Sequence, residues 1–150
     1  MEKTYAQAEM LIRRPIEEVF NSFIDPAVTT QFWFTKSSGK LEEGKTTTWT
    51  WEMYDVTVEV QVKKIELNKR IAIEWGNAGE TTSVEWKFST LPGGTFVSIM
   101  NSGFAGEITK QIEQVRDSTE GFTLVLAGLK AWLEHGVRLE LIRDRFPKEK

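Results

Sequence analysis

Apolar residues recur along this chain at two different periods, and the changes of period divide it into three parts. In the first, Ala6, Ala8, Met10 and Ile12 alternate with Gln7 and Glu9, which predicts a strand with its even positions inward. Pro15 then stands where a first helical residue belongs, and Glu17 and Glu18 complement the positive end of the helix dipole. Ile16, Val19, Phe20, Phe23 and Ile24 follow helical spacing. Asp25-Pro26 ends that helix and starts a second, short one toward Gln31, against the poor propensity of Val28-Thr29-Thr30.

From Trp33 to Gly103 the period becomes two. Trp49, Trp51 and Met53 alternate with Thr48, Thr50 and Glu52; Val56, Val58, Val60 and Val62 alternate with Thr57, Glu59, Gln61 and Lys63. Ile71, Ile73 and Trp75, then Val84, Trp86 and Phe88, then Val97, Ile99 and Asn101 continue the pattern. The turns between them fall at Gly39 to Gly44, near Asp55, at Leu67-Asn68-Lys69, at Gly76-Asn77-Ala78-Gly79 and at Pro92-Gly93-Gly94. Short turns between strands with one apolar face predict an antiparallel meander, wet on one side.

The third part returns to helical spacing. Ile108, Ile112 and Val115 predict a short helix over Glu107 to Val115. Phe122, Leu126, Leu129, Leu133 and Val137 then form the stripe of a long helix over roughly Ser118 to Arg143, widened by Val125, Trp132 and Gly136. Asp117 is its predicted cap with Glu120 reaching back, Arg143 and Arg145 suit its negative end, and Pro147 stops it. Gly128 and Gly136 inside such a helix point either to close packing or to room for a bound molecule beside it.

Composition narrows the class. A chain of 150 residues, 40% hydrophobic and 27% charged, is expected to form one domain over residues 1–150. No apolar run reaches membrane-spanning length and the first residues lack a signal-peptide core. The absence of cysteine removes disulfides and thiolate chemistry and suits a reducing cytoplasm. A net charge of −3 argues against a general nucleic-acid binder, and a single histidine leaves little for a zinc site. Nothing calls for a metal or another cofactor.

A sheet of about six to seven strands must bury its apolar face, and the long C-terminal stripe is the element available to cover it. The predicted class is therefore α+β, a sheet curled around a long C-terminal helix, with two short helices after the first strand. Trp49, Trp51, Trp75, Trp86 and Trp132 fall on or beside inward positions, with small residues at Ala127, Gly128, Ala131 and Gly136. That combination fits a solid tryptophan-rich core and an aromatic-lined pocket equally.

Three stretches carry a resemblance: IRRPIEEVFNSFIDP from Ile12 to Pro26 with Trp33 after it, GGTFVSIMNSGF from Gly93 to Phe104, and EGFTLVLAGLKAWLEHG from Glu120 to Gly136. With the element order, they resemble the helix-grip fold of the START and birch-pollen-allergen superfamily. Within it, they resemble the family of the heat-shock-protein-90 ATPase activator's C-terminal domain and its small bacterial relatives. Phe122 stands where that family often has Trp, and Asn101 where it often has His. The resemblance implies a chaperone-linked role, whereas the aromatic inward positions point to a hydrophobic or aromatic small molecule, lipid- or flavonoid-like, held between the C-terminal helix and the sheet. The candidate ligand-binding residues are Trp33, Trp49, Trp51, Trp75, Trp86, Asn101, Phe122, Leu126, Leu129 and Trp132.

Catalytic sets are not legible. His135 falls roughly opposite the apolar stripe, so it reads as a solvated histidine, and no Ser–His–Asp or Cys–His set assembles from it. Glu52, Glu59, Glu74 and Glu85 take outward positions and Asp55 a turn; Gly93-Gly94 joins strands and is no phosphate loop. The leading expectation is a binding module. The alternatives are a chaperone-linked, stress-response accessory protein with a chaperone as partner, and a cyclase- or hydrolase-like enzyme using the same cavity. The expected state is a monomer or weak dimer, with Leu124, Leu141 and Ile142 off the main stripe as a second packing surface or a dimer contact.

Overall fold

A computed structural model describes residues 3–77 and 79–147. The strands are β1 (Tyr5–Ile12), β2 (Lys36–Ser37), β3 (Thr46–Trp51), β4 (Val56–Glu66), β5 (Arg70–Trp75), β6 (Thr82–Leu91) and β7 (Gly94–Ser102). They form one antiparallel sheet in the order β1-β7-β6-β5-β4-β3-β2. The meander from β2 to β7 follows chain order, and β1 closes the far edge by pairing with β7, Ala6 opposite Asn101 and Ile12 opposite Thr95. Gly94 makes that closure possible: a Cβ there would sit 2.2 Å from the Ile12 carbonyl oxygen.

The two short helices, α1 (Ile16–Ile24) and α2 (Pro26–Thr29), follow β1 as the spacing predicts. Pro15 occupies the cap position rather than the first helical turn. Asp25 caps α2 by accepting the Ala27 N–H at 2.9 Å. Thr29 compensates for its poor propensity: its hydroxyl is buried and reaches the carbonyls of Ser22 (2.6 Å) and Asp25 (3.0 Å), tying α2 onto α1.

The C-terminal region differs from its predicted layout. The expected short helix and long helix are one continuous helix, α3 (Ile108–His135), so Asp117 lies mid-helix and caps nothing. The helix also ends before Arg143. Gly136 turns left-handed at φ 64°, with its N–H on the Trp132 carbonyl (2.9 Å) and the Val137 N–H on Ala131 (3.2 Å). Those two bonds form a Schellman stop, which needs a residue free of Cβ strain. The chain then reverses into a further short helix, α4 (Leu141–Arg145), after Glu140 at φ 61°. Met53 likewise leaves the predicted strand for a 3₁₀ turn, Glu52–Tyr54, closed by Asp55 at φ 52°. Of the predicted turn at Gly76 to Gly79, Ala78 lies outside the described residues, as do Met1, Glu2 and residues 148–150 of the termini.

The fold is α+β, a seven-stranded antiparallel sheet gripping a 28-residue helix. The C-terminal half of α3 closes the solid part of the core. Leu126 and Leu129, both fully buried, join the buried set that holds Val19, Phe23, Ile71, Ile73, Val97 and Ile99. Just beyond it, Lys130 Nζ donates to the Leu11 carbonyl (2.9 Å) and to Glu134 (2.7 Å), and Glu134 also accepts the Arg13 backbone N–H (2.9 Å). Burial pushes the Glu134 carboxyl up, but the Arg13 N–H and the Lys130 ammonium together hold it below the ordinary 4.5. A depressed carboxylate stabilises the fold above its unfolded value and loses that contribution as pH falls through its folded value. Acid titration of stability should therefore show a component below about pH 4.5 that disappears in Glu134→Gln; identical acid curves for the two proteins would exclude this anchor.

Candidate functional site

Between the N-terminal half of α3 and the ends of β4 to β7 lies a cavity of about 1000 Å³. Its walls come from the 3₁₀ turn and the start of β4, the facing ends of β5, β6 and β7, α3 from Lys110 to Val125, and α4. The exposed residues Glu80, Thr81, Gly106 and Lys110 border its mouth.

Trp33 is the hub of its floor. The short helix α2 delivers it: its N–H bonds the Thr29 carbonyl at 3.0 Å, so the ring drops under the sheet's apolar face. Its ring centroid lies 4.9 Å from Trp49, 5.8 Å from Trp75 and Phe122, and 6.1 Å from Trp51 and Trp86. Most of these pairs meet edge-on or tilted, as ring quadrupoles prefer. Trp49 instead stacks on Phe34 at 4.6 Å. One tryptophan cluster therefore serves both readings that the sequence left open. Trp49 and Trp86, each 1% exposed, pack into solid core, while Trp33, Trp51 and Trp75 present their other faces to the cavity.

Of the ten residues proposed from sequence, Trp33, Trp51, Trp75, Asn101 and Phe122 line this cavity. Leu126 and Leu129 lie beneath it in the core with Trp49 and Trp86, and Trp132 is half-buried farther along α3, off the cavity wall. The two glycines of the predicted helix divide, one following the close-packing reading and the other leaving the helix interior. A Cβ on Gly128 would meet Phe32 Cβ and its carbonyl oxygen at 3.4 Å, so Gly128 serves close packing, and Gly136 serves the helix stop. The glycine that opens space is Gly121, on the cavity wall, where a Cβ would meet only the Arg145 guanidinium, at 2.9 Å.

A polar cluster crosses the aromatic wall. Asn101, 3% exposed, donates from Nδ2 to the Ser83 carbonyl (2.8 Å) and to Thr82 Oγ1 (3.0 Å). Its Oδ1 accepts the Ser118 hydroxyl at 2.8 Å, and Trp75 Nε1 donates to the same Thr82 oxygen at 3.1 Å. Strands β5, β6 and β7 and helix α3 are thus tied together at one point of the wall. Thr82 and Ser118 were not singled out in sequence because their alternating and helical positions look like ordinary solvated ones.

The remaining wall is α4, fastened from two sides. Arg145 Nη2 donates to the Asp117 carboxylate (2.7 Å) and backbone carbonyl (3.0 Å), and its Nε stands 3.3 Å from Glu120 without hydrogen-bond alignment. The Tyr54 hydroxyl reaches the Ile142 and Arg143 carbonyls and accepts the Phe146 N–H at 3.3 Å. Ile142, one of the three apolar residues off the main stripe, is therefore a cavity-wall residue. Asp117, Glu120 and Arg145 were expected to serve a helix's own ends; they serve instead to hold two helices together, a pairing over |i−j| = 28 that periodicity does not encode. His135 is exposed at the end of α3 and lies off the cavity wall. Among the described residues no group of three or more His, Asp or Glu gathers as a metal site, and no helix is long and apolar enough to cross a membrane.

An antiparallel sheet gripping a long helix over an aromatic cavity defines a helix-grip protein of the START-like class. The chain belongs to the family of activator of Hsp90 ATPase homolog 1-like proteins, which it matches over residues 13–134. The protein SSP2350 from Staphylococcus saprophyticus is 32% identical, with a TM-score of 0.79 over 91% of this chain and 96% of that one. The Aha1 dimer from Colwellia psychrerythraea, at 18% identity, has the same fold with a TM-score of 0.76 over 89% and 98% of the two chains. DynU16, a protein of the dynemicin biosynthetic locus, shares the fold at 19% identity and TM-score 0.80; the match covers 91% of this chain and 49% of DynU16. No curated protein sequence matches the chain.

Proposed function

We propose that this protein is a binding module that holds a hydrophobic, aromatic small molecule between the N-terminal half of α3 and the sheet. The observation that carries this is the cavity itself: about 1000 Å³, at the upper end of the range for small-molecule pockets, floored by Trp33, Trp51, Trp75 and Phe122. A helix-grip core built only to fold would fill the space beside α3 along its whole length, as it does around Leu126 and Leu129. Titration with flavone should quench or shift tryptophan emission saturably without consuming the compound. At a hundredfold excess over Kd the ligand should add about 2.7 kcal/mol of stability, read as a higher melting temperature. A broad panel of apolar compounds that moves neither signal would overturn the reading.

The family description favours a second reading, a chaperone-linked role in which the chain stimulates a partner's ATPase. That reading needs the outer surface rather than the cavity. ATPase stimulation that persists when the cavity is filled by mutation would support it over the first.

A further inference from the structure

We propose that the cavity selects neutral aromatic molecules carrying a carbonyl oxygen, and that the Thr82 hydroxyl is the donor that recognises it; this deepens the binding reading above and rests on it. The argument is one of hydrogen-bond valence. The Ser83 carbonyl can only accept, so the Asn101 amide must turn its nitrogen toward it, which places that nitrogen 3.0 Å from Thr82 Oγ1 as a donor. Trp75 Nε1, which can only donate, approaches the same oxygen at 3.1 Å. Both lone pairs of Thr82 Oγ1 are thereby taken, and the hydroxyl hydrogen is the one function left over. No acceptor among the described residues takes it, and Thr82 lines the cavity. The Asn101 oxygen is already occupied by Ser118, so it does not compete for that hydrogen.

A half-buried donor without an acceptor is costly to cover with a purely apolar ligand, because its hydration is lost and nothing replaces it. A ligand oxygen at that point removes the penalty. The charges on the wall decide which oxygen. Lys110 and Arg145 are matched by Glu80 and Asp117, and Glu120 also stands beside Arg145. A carboxylate or phosphate would find no net positive charge to offset its desolvation, whereas a ketone needs only the one donor. Trp33, Trp51, Trp75 and Phe122 supply the flat apolar surroundings for the rest of the molecule.

The test compares 9-fluorenone with fluorene, planar tricyclic compounds that differ at the carbonyl, on the wild-type chain, Thr82→Val and Thr82→Ser. The ratio of the two dissociation constants should favour the ketone about tenfold more in wild type than in Thr82→Val, and Thr82→Ser should retain the wild-type ratio. Taking the ratio across variants cancels the different water solubilities of the probes. Because Thr82→Val also strips an acceptor from Trp75 and Asn101, a measurement on wild type alone backs it. The carbonyl stretch of bound fluorenone should move to lower frequency than in alkane. An unchanged ratio in Thr82→Val, or a stretch at its alkane position, overturns the inference and leaves the cavity reading standing if fluorene binds. Binding of neither probe overturns the inference, and the cavity reading falls with it when flavone and the wider apolar panel also leave fluorescence and melting temperature unmoved.

Discussion

Replacing Leu129 with Ala is expected to destabilise the protein by about 2–5 kcal/mol. Leu129 has no exposed surface and sits in the half of α3 that packs directly on the sheet. The buried cluster it belongs to, with Val19, Phe23, Ile71, Ile73, Val97 and Ile99, is held by both helix and sheet and cannot collapse into the void freely, so the cavity term adds to the lost transfer energy. Against a typical domain stability of about 5–15 kcal/mol, such a loss shifts a denaturant midpoint unmistakably. A midpoint within experimental error of wild type would mean that the helix does not press on the sheet there. The same truncation at Phe122 should cost less, because that ring borders the cavity and part of its surroundings is already open.

Replacing Gly121 with Leu is the complementary experiment on function. The new side chain leaves α3 on the cavity wall, and what it meets first is the end of the Arg145 side chain, which must shift by a few tenths of an ångström against Asp117 to make room. The fold should survive, with helix propensity improved by up to about 1 kcal/mol. Affinity for flavone should fall by about tenfold or more, since the ligand loses space that the leucine now fills. Undiminished affinity with Leu in place would put the ligand elsewhere on the protein. The corresponding change at Gly128 would be uninformative, because there the obstacle is the Phe32 backbone and Cβ rather than open space.

By itself the sequence determined the period of each segment and hence the architecture. Alternation placed β3 to β7 and their inward faces, Pro15 and Asp25 placed the two short helices, and the stripe through Phe122, Leu126 and Leu129 identified the helix that the sheet grips. These are local signals, set by side-chain spacing and turn chemistry within a few residues. It also supplied the aromatic content of the site, because tryptophans on inward positions must end near the helix wherever it lies. Only the tertiary structure decided which of those rings pack and which face open space, since Trp49 and Trp51 share a strand face and differ solely in what lies above them. The same holds for the break between helices. Asp117 and Glu120 look like a helix start until Arg145 folds back onto them, and Ser118 looks solvated until Asn101 meets it from β7. The cavity exists because the space between α3 and the sheet is filled around Leu126 and Leu129 and left open beside Gly121 and Phe122. That difference arises from how elements far apart in the chain are placed against one another, which no residue-by-residue pattern records.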